Sequence, residues 1–189
     1  MIDADSRTVL SSQGINPNSY DIIVHCHPGH GFSYAGLAVI GGQNNWLNGK
    51  VSLEVATHEL GHNYGLGHAH YWNLATGNGT LGHVNSDGSF IEKEEYGDDF
   101  DIMGNVNNGI TLPSAQYNAH GKVALNWIEQ KEVINVNTSG VYRIFRFDHK
   151  DARTNANTKL ALKVVAAGEE YWVAHRKLFT ANEIGRAHV

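Results

Sequence analysis

Apolar residues come in short β-branched runs as far as Gly49, take a helical spacing to Tyr64, and alternate with polar residues beyond Lys131. The first run, YDIIVHCH (Tyr20 to His27), is closed by Pro28 and Gly29 and predicts a buried strand with Cys26 inside it. FSYAGLAVIGG (Phe32 to Gly42) is rich in small residues and predicts a strand that another group approaches closely. QNNWLNG (Gln43 to Gly49) predicts one more short strand ending in a turn, and a helix then runs from Asn48 or Gly49 to about Tyr64. At about 100° per residue, Leu53, Leu60 and Tyr64 share one side of that helix with Ala56 close by. This side is expected to pack on the sheet. His58 and His62 share the opposite side, above Val51 and Val55, and Gly65 is a natural left-handed terminator.

From Tyr71 to Phe100 the chain is rich in glycine, asparagine and acids, and reads as loop. SAQYNAHGKVALNWI (Ser114 to Ile128) resumes helical spacing, with Ser114 as cap and Tyr117, Ala124, Trp127 and Ile128 on a shared face. VYRIFRF, LALKVV and EYWVAHR then predict strands. Strands that lead into such a helix indicate an α/β or α+β domain, and a β-rich segment follows.

Charge changes at the same place as the rhythm. Residues 1–121 carry 12 acids and 3 bases, and residues 122–189 carry 7 and 11. A boundary is therefore expected near residue 130, dividing 1–130 from a β-rich segment over 131–182. The closing EIGRAHV, 183–189, resembles a translated sequencing-library adapter and is read as a non-native tail. The full chain of 189 residues is 41 % hydrophobic and 17 % charged, a globular composition. A net charge of −5 without any basic block argues against nucleic acid as a partner. No apolar stretch is long enough to span a bilayer. With Cys26 alone, no internal disulfide forms.

Chemistry concentrates in THELGHNYGLGHAH (Thr57 to His70). His58 and His62, one helical turn apart, point the same way and can grip one cation from a rigid element. Glu59 lies angularly beside His62, offset from the ion, where a carboxylate suits a base acting on metal-bound water. Catalytic zinc needs a third protein ligand and an open fourth position. Gly65 turns the backbone out of the helix, and His68, three residues on, can swing back to the ion. Three histidines also accommodate copper or cobalt. His70 is expected to be a second-shell or surface residue. His25, His27 and His30 are expected to be loop histidines beside a cleft rather than a second metal site. The acidic run EKEEYGDD (Glu92 to Asp99) lacks a regular calcium-ligand spacing and is expected to be a solvated surface.

The complete pattern, H-E-x-x-H-x-x-G-x-x-H over His58 to His68, resembles the signature of the metzincin zinc endopeptidases. Met103, in YGDDFDIMGN, resembles the methionine of their Met-turn, which implies an apolar floor beneath the three imidazoles. YAGLAVIGGQNNWLNG, EYGDDFDIMGN and YNAHGKVALNWI are most similar to the gametolysin family, and the resemblance covers Tyr20 to Trp127, with weaker similarity through EYWVAHR. It implies a metzincin-like zincin domain: a twisted mixed sheet over the active-site helix, the Met-turn, and a C-terminal helix. That domain would be incomplete at its N-terminus. It further implies Zn²⁺ held by His58, His62 and His68, with Glu59 as catalytic base. A protein or peptide substrate would pair along an edge strand near residues 35–40. The expected enzyme is secreted and hydrolyses extracellular or cell-wall proteins, although MIDADSRTVL contains no signal peptide. Asn105 stands where some metzincins carry a tyrosine that assists at zinc, so no such role is assigned to it. The alternatives are an inactive protein-binding module of the same fold and, for residues from 131 onward, an adhesion or docking module.

Overall fold

The computed structural model describes residues 2–72, 93–105, 116–148, 157–166 and 168–176. Among these, a few short helices accompany two three-stranded mixed sheets and a two-stranded ribbon, an α+β arrangement. The chain divides into two compact units, Met1–Gly67 and His68–Val189. The suspected tail, 183–189, lies outside the described residues.

The first unit holds helix α1 (Ile2–Ser12), strands β1 (Ile23–His27), β2 (Gly36–Ala38) and β3 (Asn44–Asn48), and helix α2 (Leu53–Asn63). β3 is central, parallel to β1 and antiparallel to β2, so β2 lies at an edge of this sheet. The apolar pattern gives no sign of α1, because α1 docks through polar groups. Arg7 donates to Asp3 Oδ1 at 2.7 Å, Gln43 Oε1 at 2.7 Å and Asn44 Oδ1 at 3.0 Å. Ser6 Oγ lies 3.1 Å from Nδ1 of His25, whose ring stacks on Trp46 at 5.3 Å. For the same reason β1 is not the buried apolar strand the sequence predicts. His25 is its buried residue, whereas Val24 and Cys26 are exposed.

α2 starts later than its spacing predicts. The side chain of Ser52 caps it, accepting from Val55 N at 3.4 Å. It ends where expected, with Gly65 in the left-handed region at φ 94°. The expected packing face is wrong: Leu53 and Tyr64 are exposed, and Glu59, Gly61, His62 and Asn63 are the buried positions. Asn63 explains the exchange. Its amide donates to the carbonyls of Gly42 at 2.8 Å and Asn44 at 3.0 Å, with Val39 O a more distant 3.4 Å away. Its oxygen accepts from Asn45 Nδ2 at 2.9 Å. The Gly41 N–H adds a bond of 2.8 Å to the His62 carbonyl. A polar clasp thus holds the end of α2 to the β2–β3 hairpin.

In the second unit, β4 (Tyr71–Trp72) pairs antiparallel with β5 (Lys93–Glu94), two strands inside what the sequence reads as loop. Asp101, almost fully buried, accepts from the N–H groups of Met103 and Asn118, each at 2.8 Å. Helix α3 (Ala119–Ala124) is short. Its cap is Asn118, which accepts from Gly121 N at 2.8 Å, while the predicted cap Ser114 lies outside the described residues. Asn126 follows with φ 57°. Of the predicted helical face, Tyr117 and Ile128 are buried, whereas Ala124 and Trp127 are exposed. β6 (Val133–Val136), β7 (Ala161–Ala166) and β8 (Glu169–Ala174) form a sheet with β7 central. VYRIFRF is not a strand; it contributes one isolated bridge, Arg146 to His175. Ala119, Val123, Ile128, Val133, Phe147, Leu160 and Ala161 form one core, so residues on both sides of position 130 pack together. Arg176, just past β8, is buried, donates to the Phe100 carbonyl and is faced by Asp101, Asp98 and Asp148.

Asn63→Leu takes the acceptor from the buried Asn45 amide and the donor from the Gly42 and Asn44 carbonyls, and is expected to cost roughly 2–4 kcal/mol in urea unfolding. A loss below about 0.5 kcal/mol would show that the clasp does not hold α2. Asp101→Asn keeps one acceptor where two N–H groups need one each, with an expected cost of about 1–3 kcal/mol. Burial pushes the Asp101 carboxyl from an ordinary 3.8 up to about 6. Its folded value lies above the unfolded one, so its contribution is complete below 3.8 and is lost as pH rises through about 6. The stability gap between the wild type and Asp101→Asn is therefore expected to narrow across that interval, as read from unfolding midpoints at each pH.

Candidate metal centre

His58 and His62 project from successive turns of α2 with ring centroids 4.8 Å apart. The chain leaves the helix at Gly65, and His68 returns. One ring nitrogen from each of His58, His62 and His68 lies within 4.8 Å of the others, close enough to hold one metal ion. Among the described residues no other set of three or more His, Cys, Asp or Glu side chains converges in this way.

The protonation pattern suits a cation. Nδ1 of His62 lies 2.8 Å from the Leu66 carbonyl. A carbonyl only accepts, so Nδ1 carries the proton and Nε2 keeps its lone pair. Nδ1 of His68 lies 2.7 Å from Glu95 Oε1 and is matched in the same way. Three imidazoles, two of them oriented through Nδ1, make a donor set that fits zinc, cobalt or copper.

Glu59 is buried, and its Oε2 has no hydrogen-bond partner among the described residues. Burial pushes its carboxyl up to about 7. The crowding comes from β2. A methyl group at Gly36 would overlap Glu59 Oε1 and come 2.7 Å from Val55 Cγ1. This is the close approach that the small residues of the edge strand predict. Phe32, Leu37, Val39 and Ile40 are exposed around that strand.

Met103 is 2 % exposed, and its carbonyl accepts from the N–H of Ala69 at 2.8 Å, one residue past His68. Asp98 N closes the loop on the Ala69 carbonyl at 3.4 Å. His70 is not in the trio; its ring sits edge-on to His68 at 6.4 Å. His27, the last residue of β1, stacks at 5.3 Å on His30 in the loop that follows, while His25 faces α1, so these three do not converge. The acidic run is not simply a solvated surface. Asp98 is buried and accepts from Phe100 N at 2.9 Å, and Glu95 holds His68. Neither role shows in the sequence, because no fixed spacing links Glu95 to His68. Among the described residues no helix is long and apolar enough to cross a membrane. Compared with known proteins, the chain matches no family model, no curated protein sequence and no solved structure.

Proposed function

We propose that the chain is a zinc-dependent endopeptidase of the metzincin type, similar to the gametolysin family. The observation that carries this reading is the convergence of His58, His62 and His68 beside the buried carboxylate of Glu59. Cobalt and copper fit the same ligands, but zinc is the ion that pairs three such ligands with a glutamate base in peptide hydrolysis. A bound zinc ion supplies an acidified water and polarises the scissile carbonyl.

The chain's own groups do the rest. His58, His62 and His68 hold the cation as neutral imidazoles. Glu59 accepts the proton of the attacking water and delivers it to the departing amine, so no proton is lost to solvent. Its burial matches that task, because a base near neutrality exchanges protons efficiently in both directions. The strand β2 lies against Glu59 through Gly36 and, as an edge of its sheet among the described residues, offers backbone to an extended peptide, with Leu37 and Val39 available to its side chains. The resemblance to the metzincins gives Met103 the part of the Met-turn residue. The substrates on this reading are extracellular or cell-wall proteins, and the enzyme is secreted.

Zinc is expected to bind in a 1:1 ratio and to raise the unfolding temperature, with both effects reversed by a chelator. Binding of zinc that survives His58→Ala, His62→Ala and His68→Ala would remove the trio as the site. Glu59→Gln is expected to keep zinc and fold but to reduce cleavage of an unstructured protein substrate at least 10³-fold, allowing for the loss of both proton transfers. Wild-type turnover by that variant would refute the assignment of Glu59. A wild type that binds zinc but cleaves nothing would instead favour a binding module.

A further inference from the structure

The three ligands are not held equally well. His58 and His62 stand on a helix, whereas His68 stands on extended chain between Gly67 and Ala69. Something outside the backbone must fix its ring. The β4–β5 ribbon brings that support, because its register sets Tyr71 opposite Glu94 and returns the next residues toward His68. Glu95 Oε1 meets Nδ1 of His68 at 2.7 Å, and the Tyr96 ring lies 3.9 Å from the His68 ring, tilted by 38°. Tyr96 takes φ 61°, a left-handed conformation that is strained for a bulky L-residue. The turn keeps that strained geometry at the point where it places a carboxylate at the edge of the His68 ring and an aromatic ring against its face.

We propose that Glu95 is a positioning residue for the third metal ligand, with Tyr96 as the backing plate, and that the pair sets metal affinity. The inference rests on the metal-site reading above. The carboxylate holds the proton on Nδ1 and leaves Nε2 as the donor toward the trio. The Tyr96 contact restricts rotation about the remaining side-chain torsions. The energetic consequence is pre-organisation: without the pair, His68 samples rotamers that turn Nε2 away, and each metal-binding event must select the competent one.

The test uses the full chain, with zinc affinity measured by competition against a chromophoric chelator and the Co²⁺ visible spectrum recorded at saturation. Glu95→Ala is expected to weaken zinc binding 10- to 100-fold. Glu95→Gln, which keeps an acceptor but loses the charge, should fall between Glu95→Ala and the wild type. At saturating Co²⁺ all three should give the same spectrum, because the ligands are unchanged. Glu94→Ala, one position away, should stay within about twofold, which separates positioning from the general effect of negative charge near a cation. Unfolding curves of the metal-free proteins control for loss of fold. If His68→Ala weakens binding and Glu95→Ala does not, the positioning role is overturned while the metal site stands. If neither matters, both fall.

Discussion

Asn63 occupies a position where a helix packed on a sheet ordinarily places an aliphatic side chain. The placement follows from what α2 carries. With His58 and His62 close enough to share a cation and Glu59 buried on the same helix, α2 has little apolar surface left for the sheet. Hydrogen bonds of defined length replace contacts that tolerate sliding. The amide of Asn63 reaches the Gly42 and Asn44 carbonyls, and its oxygen takes the amide of Asn45. Such a clasp fixes both the rotation and the height of the helix, because buried polar groups accept few alternative arrangements. The positions of the two helical imidazoles, and the contact of Glu59 with Gly36, follow from it.

The local signals in the sequence were read correctly where chemistry dictates spacing. The i, i+4 pair of histidines, the glycine that ends α2 and the return of His68 all appear where H-E-x-x-H-x-x-G-x-x-H puts them. The small residues before α2 announced the close contact at Gly36. Hydrophobic periodicity failed wherever polar groups do the packing. Leu53 and Tyr64 were assigned inward and lie outward, because the periodic argument assumes that apolar residues seek the interior and that polar ones avoid it. Helix α1 was missed for the same reason, since Arg7 and Ser6 dock it. Glu95 is unreadable for a different reason: its partner lies 27 positions away, and the pairing of β4 with β5 brings the two segments together.

The segment beyond residue 130 bears on the segment around Met103. Arg176 donates to the Phe100 carbonyl, and the acids facing it include Asp101, whose two oxygens hold Met103 N and Asn118 N. Leu160, Ala161 and Phe147 complete the core that begins on α3. The shared core and the buried arginine join β6–β8 to α3 and to the segment around Met103. A buried guanidinium among carboxylates tolerates little displacement, because removing either sign leaves the other uncompensated in a poor solvent for charge.

Glu59 shows the opposite economy. Asn63 and Asp101 are buried with their partners supplied, whereas Glu59 is buried with Oε2 unpartnered among the described residues. Stability alone would favour a leucine or methionine there, since desolvating a carboxyl without compensation costs free energy that the fold must offset elsewhere. Gly36 deepens that cost by giving up its own side chain to let Glu59 in. Two concessions at one point, made beside three convergent imidazoles, are hard to account for as packing. A cation held by those imidazoles would reverse the sign of the cost, because a carboxylate's charge becomes favourable beside a positive one.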